Sequence, residues 1–251
     1  MIPKVVYYTH ENIETVKKFE RQIQYSKSKN KKYKFIFFDD NDTKKFIKKE
    51  FPEFYNFYKR INEGYGASKA DIFRVLILYK YGGIYIDCKT MIEDMDELFS
   101  KYPNKNFYTC SCSSFKDDKI MDIISTNFLD SEYQNFFMAT RKEDKIISKI
   151  KDEMFYMLSS FGKIKNKMIT MSNNLFNILG NEKCGFSAVQ SYTGPCIFTK
   201  IINKYPDMVF DVGLADKQYV IYSDMSSIER LFKGDFKNSY HFNQLPFLKD
   251  V

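Results

Sequence analysis

The sequence predicts an α/β fold, a Rossmann-like sheet flanked by helices, and three observations predict it. Near-continuous apolar runs of strand length, residues 2–8 (IPKVVYY) and 33–38 (YKFIFF), alternate with stretches of helical spacing. Residues 66–90, GASKADIFRVLILYKYGGIYIDCKT, read as a helix that passes through a Gly-Gly break into a short buried strand ending on an acid. Hydrophobic content of 44% and aromatic content of 18% describe a folded globule rather than a disordered chain. At 251 residues the chain is long enough for one large α/β domain with its own core.

The elements follow in chain order. After the first strand, residues 11–25 carry helical spacing, and a basic loop (SKSKNKKYK) with Lys27, Lys29, Lys31 and Lys32 reads as a solvated surface. The second strand stops at Asp39-Asp40-Asn41-Asp42-Thr43. That acidic cluster imitates a metal site, but short polar side chains ahead of Lys44-Lys45-Phe46-Ile47 are what a helix N-terminus needs. A helix over residues 67–81 then sets Ile72, Val75, Leu76 and Tyr79 on one apolar face, with Asp71, Arg74 and Leu78 on an adjacent stripe. Gly82 and Gly83 end it; Ile84, Tyr85 and Ile86 favour extended chain, and Asp87 closes the strand. An acid at the C-terminal end of a buried strand sits where open α/β sheets bind ligands.

Beyond this point the pattern is less regular. Residues 106–112 and 135–140 are further strand candidates. The region 141–180 turns helical and basic, placing Ile146, Ile147, Ile150, Met154, Met157 and Leu158 at core spacing. Lys163, Lys165 and Lys167 precede another amphipathic helix reaching Leu179. Thr193-Gly194-Pro195 opens a helix with Pro in its first turn. Residues 208–212 and 218–222 read as a hairpin or edge pair, and the terminus YHFNQLPFLKDV carries His241 and Asn243.

Thirty-nine Lys plus Arg against 32 Asp plus Glu give a net charge of +7, which favours acidic partners such as nucleotide diphosphates, anionic glycans, nucleic acid or a lipid surface. Five cysteines, Cys88, Cys110, Cys112, Cys184 and Cys196, without CxxC spacing and with only two histidines, build neither a disulfide framework nor a zinc site, so buried free thiols are expected. No window approaches the ~20 apolar residues that span a bilayer, and no signal-peptide h-region is visible.

The segment AxxADIFRxxxLYKYGGIYID resembles the core of glycosyltransferase family 32, the DXD-type sugar transferases that include Golgi initiating mannosyltransferases and are related to the large glucosylating toxins. The resemblance implies a GT-A-type mixed sheet with additional C-terminal helices. It further implies a nucleotide-sugar-binding half over residues 1–100 and an acceptor-side half over 101–251. It implies a retaining transferase that moves a hexose from a nucleoside diphosphate, a UDP- or GDP-hexose, to a hydroxyl of a glycan or protein. Golgi members carry an N-terminal anchor; this chain reads as a soluble, intracellular, cytoplasmic enzyme or as one whose anchor has been removed.

By the same resemblance, Asp71 and Arg74 contact the donor sugar, with Asp71 accepting from its hydroxyls and Arg74 donating to them. Alone, the two would be a surface ion pair worth about 0.2–0.5 kcal/mol. Asp87 begins the D-x-D that binds a divalent cation, Mn²⁺ or Mg²⁺, and the donor diphosphate, with His241 or Asn243 as candidate further ligands. The third position departs from the family: Asp87-Cys88-Lys89 puts a cation where a second carboxylate is expected. Three readings stay open in order: metal held through Asp87, diphosphate neutralised by Lys89, or an inactive nucleotide-sugar-binding relative. If the strand continued, Lys89 would share a face with Asp87 and could hold it in a salt bridge. Tyr7, Tyr8 and Thr9 match the nucleotide-facing position, where a ring can stack on a base, or else they are core and turn. His10 is assigned no role. Asn135, Thr193 and Gly194, with His241 and Asn243, resemble positions near the acceptor or closing the donor site. A nucleic-acid binder is the competing class, disfavoured because the aromatics fall at core periodicity and no binding motif is present.

Overall fold

The computed structural model describes residues 1–111, 133–161, 189, 192–215, 219–222 and 247–249. Its main sheet has six strands in the order β2-β1-β3-β6-β5-β7. These are β1 (Val5–Thr9), β2 (Lys34–Phe38), β3 (Gly83–Ile86), β5 (Phe107–Ser111), β6 (Tyr133–Thr140) and β7 (Val209–Asp211). β1 pairs in parallel with β2 and β3, and β5 with β7, whereas β6 runs antiparallel between β3 and β5. The sheet is therefore mixed, and the C-terminal ends of β1, β3, β5 and β7 share one edge with the start of β6.

The strands form because their residues alternate between two cores. Tyr7, Tyr85 and Met138 lie side by side in register on one face, and Val6, Ile84 and Ala139 on the other, all buried. The first face packs under α3 (Asp40–Glu50), α4 (Pro52–Tyr58), α5 (Gly66–Tyr81), α7 (Lys145–Ser159) and α8 (Pro195–Ile202). The second is covered by α2 (Glu20–Lys29) and α6 (Met95–Lys101).

Residues 11–25, expected as one helix, are divided among α1 (Ile13–Val16), a 3₁₀ turn (Lys17–Phe19) and α2. Asn12 closes a capping box on α1 with Thr15, so the chain starts a helix there and restarts it at Glu20. The acidic cluster after β2 is a cap: Asp39 accepts from the Asp42 amide at 2.8 Å.

α5 is buried more completely than its sequence pattern suggests. Asp71 through Leu78 are all buried, because the helix lies between the sheet and α7 rather than on a surface. Gly82 and Gly83 then turn the chain with φ of 65° and 106°. A Cβ at Gly82 would lie 2.5 Å from the Lys142 amide nitrogen, and one at Gly83 would lie 2.8 Å from the Val5 carbonyl oxygen. The Gly-Gly break is thus required by backbone conformation and by close approach.

Residues 208–212 and 218–222 do not pair with one another. β7 joins the main sheet beside β5 and continues into α9 (Val212–Ala215). β8 (Val220–Tyr222) pairs with β4 (Thr90–Ile92) in a separate two-stranded sheet. β4 follows the Asp87 turn directly, and no sequence signal announced its partner. Cys88 and Cys110 are buried free thiols, as expected, and Cys196, half-buried, forms no disulfide; Cys112 and Cys184, Lys163 to Lys167 and the helix reaching Leu179 lie outside the described residues. No described helix is long and apolar enough to cross a membrane.

Candidate active site

α5 runs back along the sheet so that its first half faces the edge where β3 ends and β6 begins. There Arg74 joins the two acids singled out from the sequence. Its Nη2 lies 3.4 Å from Asp71 Oδ1 and 3.1 Å from Asp87 Oδ1. Nη1 donates to the Asn135 carbonyl at 2.7 Å and Nε to the Ala70 carbonyl at 3.4 Å. The guanidinium lies 4.7 Å from the centroid of the Tyr85 ring, whose hydroxyl donates to Asp87 Oδ1 at 3.1 Å. Among the described residues Arg74 thus makes two hydrogen bonds to backbone carbonyls and two ion pairs through Nη2.

Asp71 is equally engaged. Oδ1 accepts from Asn135 Nδ2 at 2.8 Å and Oδ2 from Thr193 Oγ1 at 3.0 Å. Among the described residues Thr193 is the one donor to Oδ2, which leaves a lone-pair direction for a ligand hydroxyl. Asp71 and Arg74 are each only 4% exposed. Burial pushes the Asp71 carboxyl up from 3.8 to about 7, against the lowering effects of Arg74, Thr193 and Asn135. Burial also works against the charge of Arg74, but Asp87, Tyr85 and Asp71 outweigh it and hold the guanidinium ionised. Buried charges that are paired and hydrogen-bonded on every side are a preorganised polar site.

The structure thus brings Asp71, Arg74, Asp87, Asn135 and Thr193 into one network, drawn from α5, the end of β3, the start of β6 and the turn before α8. Asn135 and Thr193, expected near the acceptor or closing the donor site, each hold one oxygen of Asp71. Gly194 is the N-cap residue of α8, and its amide and that of Thr193 both donate to the Val189 carbonyl, at 2.8 and 3.3 Å. Tyr85 was not singled out from the sequence, although its place two residues before Asp87 on a strand puts both on one face.

Asp87 lies just beyond the strand, not within it. Its amide donates to the Phe136 carbonyl and its carbonyl accepts from the Thr90 amide, both at 2.8 Å, so residues 87–90 form a turn. Strand alternation therefore does not place Lys89 beside Asp87. Lys89 is half-buried and engaged with neighbours. The side chain of Asp87 is 29% exposed, and among the described residues no donor meets Oδ2.

Tyr7 and Tyr8 are buried on opposite faces, against Phe38 and Phe37 respectively, so the packing alternative describes them and neither ring is open to a base. The Thr9 hydroxyl donates to the Phe38 carbonyl at 2.7 Å and ties β1 to β2. His10, given no role above, lies at this same edge. Its Nδ1 is 2.7 Å from Thr15 Oγ1, and burial lowers its pKa from 6.5, with Glu11 and Asp87 raising it and Lys18 and Lys89 lowering it further. His241 and Asn243 lie outside the described residues.

The expected metal ligand set is not assembled by these groups. Asp87 Oδ1 is committed to Arg74 and Tyr85, Lys89 occupies the second ligand position, and no cluster of three His, Cys, Asp or Glu side chains fit for a metal exists among the described residues. One monodentate oxygen beside a guanidinium is a poor fit for a divalent ion.

Residues 16–103 match a family described as a glycosyltransferase sugar-binding region containing a DXD motif. The chain is 32% identical over 87 residues to mannosyl phosphorylinositol ceramide synthase SUR1 of Saccharomyces cerevisiae, 35% of this chain and 22% of that one. It is 31% identical over 86 residues to inositol phosphoceramide mannosyltransferase 3 of Schizosaccharomyces pombe, 34% of this chain and 24% of that one. The chain thus spans under a quarter of the length of these curated relatives. Among solved structures, the PaToxG glycosyltransferase superposes with a TM-score of 0.48 at 16% identity, covering 95% of this chain and 77% of that one. The UDP-bound glycosyltransferase domain of the YGT toxin gives 0.44 at 11% identity, covering 86% and 59%.

Proposed function

We propose that the chain, whose residues 16–103 match the sugar-binding region described above, is a retaining transferase, moving a hexose from a nucleoside diphosphate to a hydroxyl of a glycan or protein. The observation that carries this reading is the Asp71–Arg74–Asp87 chain of ion pairs at the sheet edge. Nothing in the fold alone would require an acid and a guanidinium to be buried there beside a second, part-exposed acid, at a desolvation cost of several kcal/mol per buried ion.

In this reading Asp71 Oδ2 accepts a hydroxyl of the donor sugar, and an N–H of Arg74 donates to a neighbouring sugar oxygen. Asn135 and Thr193 hold Asp71 still, which keeps the ordering cost out of the binding step. The acceptor hydroxyl attacks the anomeric carbon on the face from which the diphosphate departs. The bond from that carbon to the diphosphate oxygen breaks with its electron pair on the oxygen, and the leaving diphosphate takes the acceptor proton. Asp71 is tied to Asn135 and Thr193, and Asp87 balances Arg74, which favours this same-face route over a covalent sugar–enzyme intermediate.

A thermal-shift panel of nucleotide sugars, with EDTA or with Mn²⁺, tests the reading. Mannosyl donors head the panel because the curated relatives are named for mannosyl transfer. A rise in melting temperature with one donor, followed by its slow hydrolysis, is expected. No shift with any donor under either condition sinks the proposal, and a shift without hydrolysis or transfer identifies an inactive binder.

A further inference from the structure

We infer that the donor diphosphate is neutralised by lysines, Lys89 assisted by Lys18, so that donor binding does not require a divalent cation. This rests on the donor-site reading above and concerns how the same site handles charge.

The first support is the turn. The bond from the Thr90 amide to the Asp87 carbonyl at 2.8 Å folds Asp87-Cys88-Lys89-Thr90 back at the end of β3, so Lys89 emerges at the ligand edge of the sheet. Cys88 anchors the turn: it is buried, and its thiol meets the Thr9 carbonyl at 3.4 Å, across at the end of β1. Lys89 is therefore carried by a turn tied to two strands.

The second is the state of Asp87. Its Oδ1 holds Arg74 at 3.1 Å and the Tyr85 hydroxyl at 3.1 Å, so Asp87 already has the duty of balancing a buried guanidinium. A dication drawing on the same carboxylate would compete with Arg74 for it.

The third is convergence. Lys18, from the 3₁₀ turn after α1, and Lys89, from the β3–β4 turn, both lie near enough to His10 at the end of β1 to act on its charge. Lys18 is exposed and makes no ion pair among the described residues, whereas its neighbour Lys17 is paired to Glu14 at 2.8 Å. Two cations from separate elements thus flank the strand end beside Asp87.

The charge balance agrees. Exchanging a carboxylate for an ammonium at one position changes the local charge by two units, from −1 to +1. A divalent ion would supply the same two units. A site with Lys89 can receive a diphosphate without an added metal, because compact ammonium groups are themselves good phosphate partners.

The test is isothermal titration of UDP and of GDP into the full chain, in EDTA and in Mn²⁺. At least one nucleotide should bind in EDTA, with Mn²⁺ changing its Kd by less than about threefold. Lys89→Met should weaken that binding at least about tenfold, and Lys18→Met about threefold, with a steeper effect at low salt. Lys89→Asp should bind only with Mn²⁺. Wild-type binding that appears in Mn²⁺ and vanishes in EDTA overturns the inference while leaving the donor site standing. No binding of either nucleotide under either condition overturns both. If a Lys89 variant fails to fold by circular dichroism, the wild-type comparison of EDTA with Mn²⁺ still decides, and a folded Lys89→Met that binds as wild type refutes the assignment to Lys89.

Discussion

Thr193→Val removes one hydroxyl from the network while keeping the side-chain shape, so its effect isolates a single hydrogen bond. The hydroxyl donates to Asp71 Oδ2 at 3.0 Å and has the Val189 carbonyl at 3.3 Å as its alternative acceptor. A hydroxyl has one proton, and the shorter contact to the carboxylate takes it. Both side chains are buried, with Thr193 at 0% and Asp71 at 4% exposure, so water cannot replace the lost donor. A buried hydrogen bond to a charged group is worth about 1.5–3 kcal/mol, and Oδ2 would then have no described partner. We expect a loss near the middle of that range, read from urea denaturation at pH 8, where Asp71 is ionised. At pH 5, where the carboxyl carries a proton, the loss should shrink to about 1 kcal/mol, the worth of a neutral bond. A variant within about 0.5 kcal/mol of wild type at pH 8, or a loss independent of pH, would refute the claim that Thr193 holds an ionised Asp71.

Asp71 itself should impose a pH dependence on stability. The unfolded carboxyl releases its proton near 3.8 and the folded one near 7, so the native state binds more protons between those values and stability falls as pH rises through that window. Asp71→Asn should flatten that slope in melts taken from pH 4 to pH 7, and an unchanged slope would contradict the raised pKa. Donor binding should move the other way, strengthening as pH rises through about 7, because an ionised Asp71 is the better acceptor for a sugar hydroxyl. Asp87→Asn should cost about 1–2 kcal/mol in denaturation, less than a fully buried pair because Asp87 is 29% exposed, and should reduce transfer by about 10²-fold or more. Wild-type transfer rates in that variant would remove Asp87 from the site. Gly82→Ala places a Cβ 2.5 Å from the Lys142 nitrogen at a φ of 65°, and should destabilise by at least about 1–3 kcal/mol in the same assay.

What could be read from the sequence was local. The run from Gly66 to Asp87 names a helix, its glycine terminator, a strand and three polar residues within one stretch, and α5, β3, Asp71, Arg74 and Asp87 all stand in the structure where that grammar puts them. The Asp39 cap was legible for the same reason, since donor and acceptor are three residues apart. The partners of those groups were not. Asn135 and Thr193 meet Asp71 across separations of 64 and 122 residues, and no periodicity encodes which carboxylate a distant amide will find. β7 and β8 were misjoined because two short apolar runs close in sequence resemble a hairpin, while their real partners, β5 and β4, lie far upstream. The aromatic residues of β1 read equally well as base platforms and as core; only the register with β2 and β3 puts Tyr7 and Tyr8 inside.

The antiparallel strand at the centre of the sheet has a consequence for how the protein is made. When the first 111 residues have been synthesised, β3 has β1 on one side and an unsatisfied edge on the other, and β5 has no strand to join it to the rest. Only when residues 133–140 arrive can β6 bridge β3 and β5, and the same event delivers Asn135 to Asp71 and a carbonyl to Arg74. Without β6, a guanidinium and two acids would lie beside an open strand edge. Closure of the sheet and completion of the polar network therefore depend on the same strand, and the matched stretch of residues 16–103 ends before it.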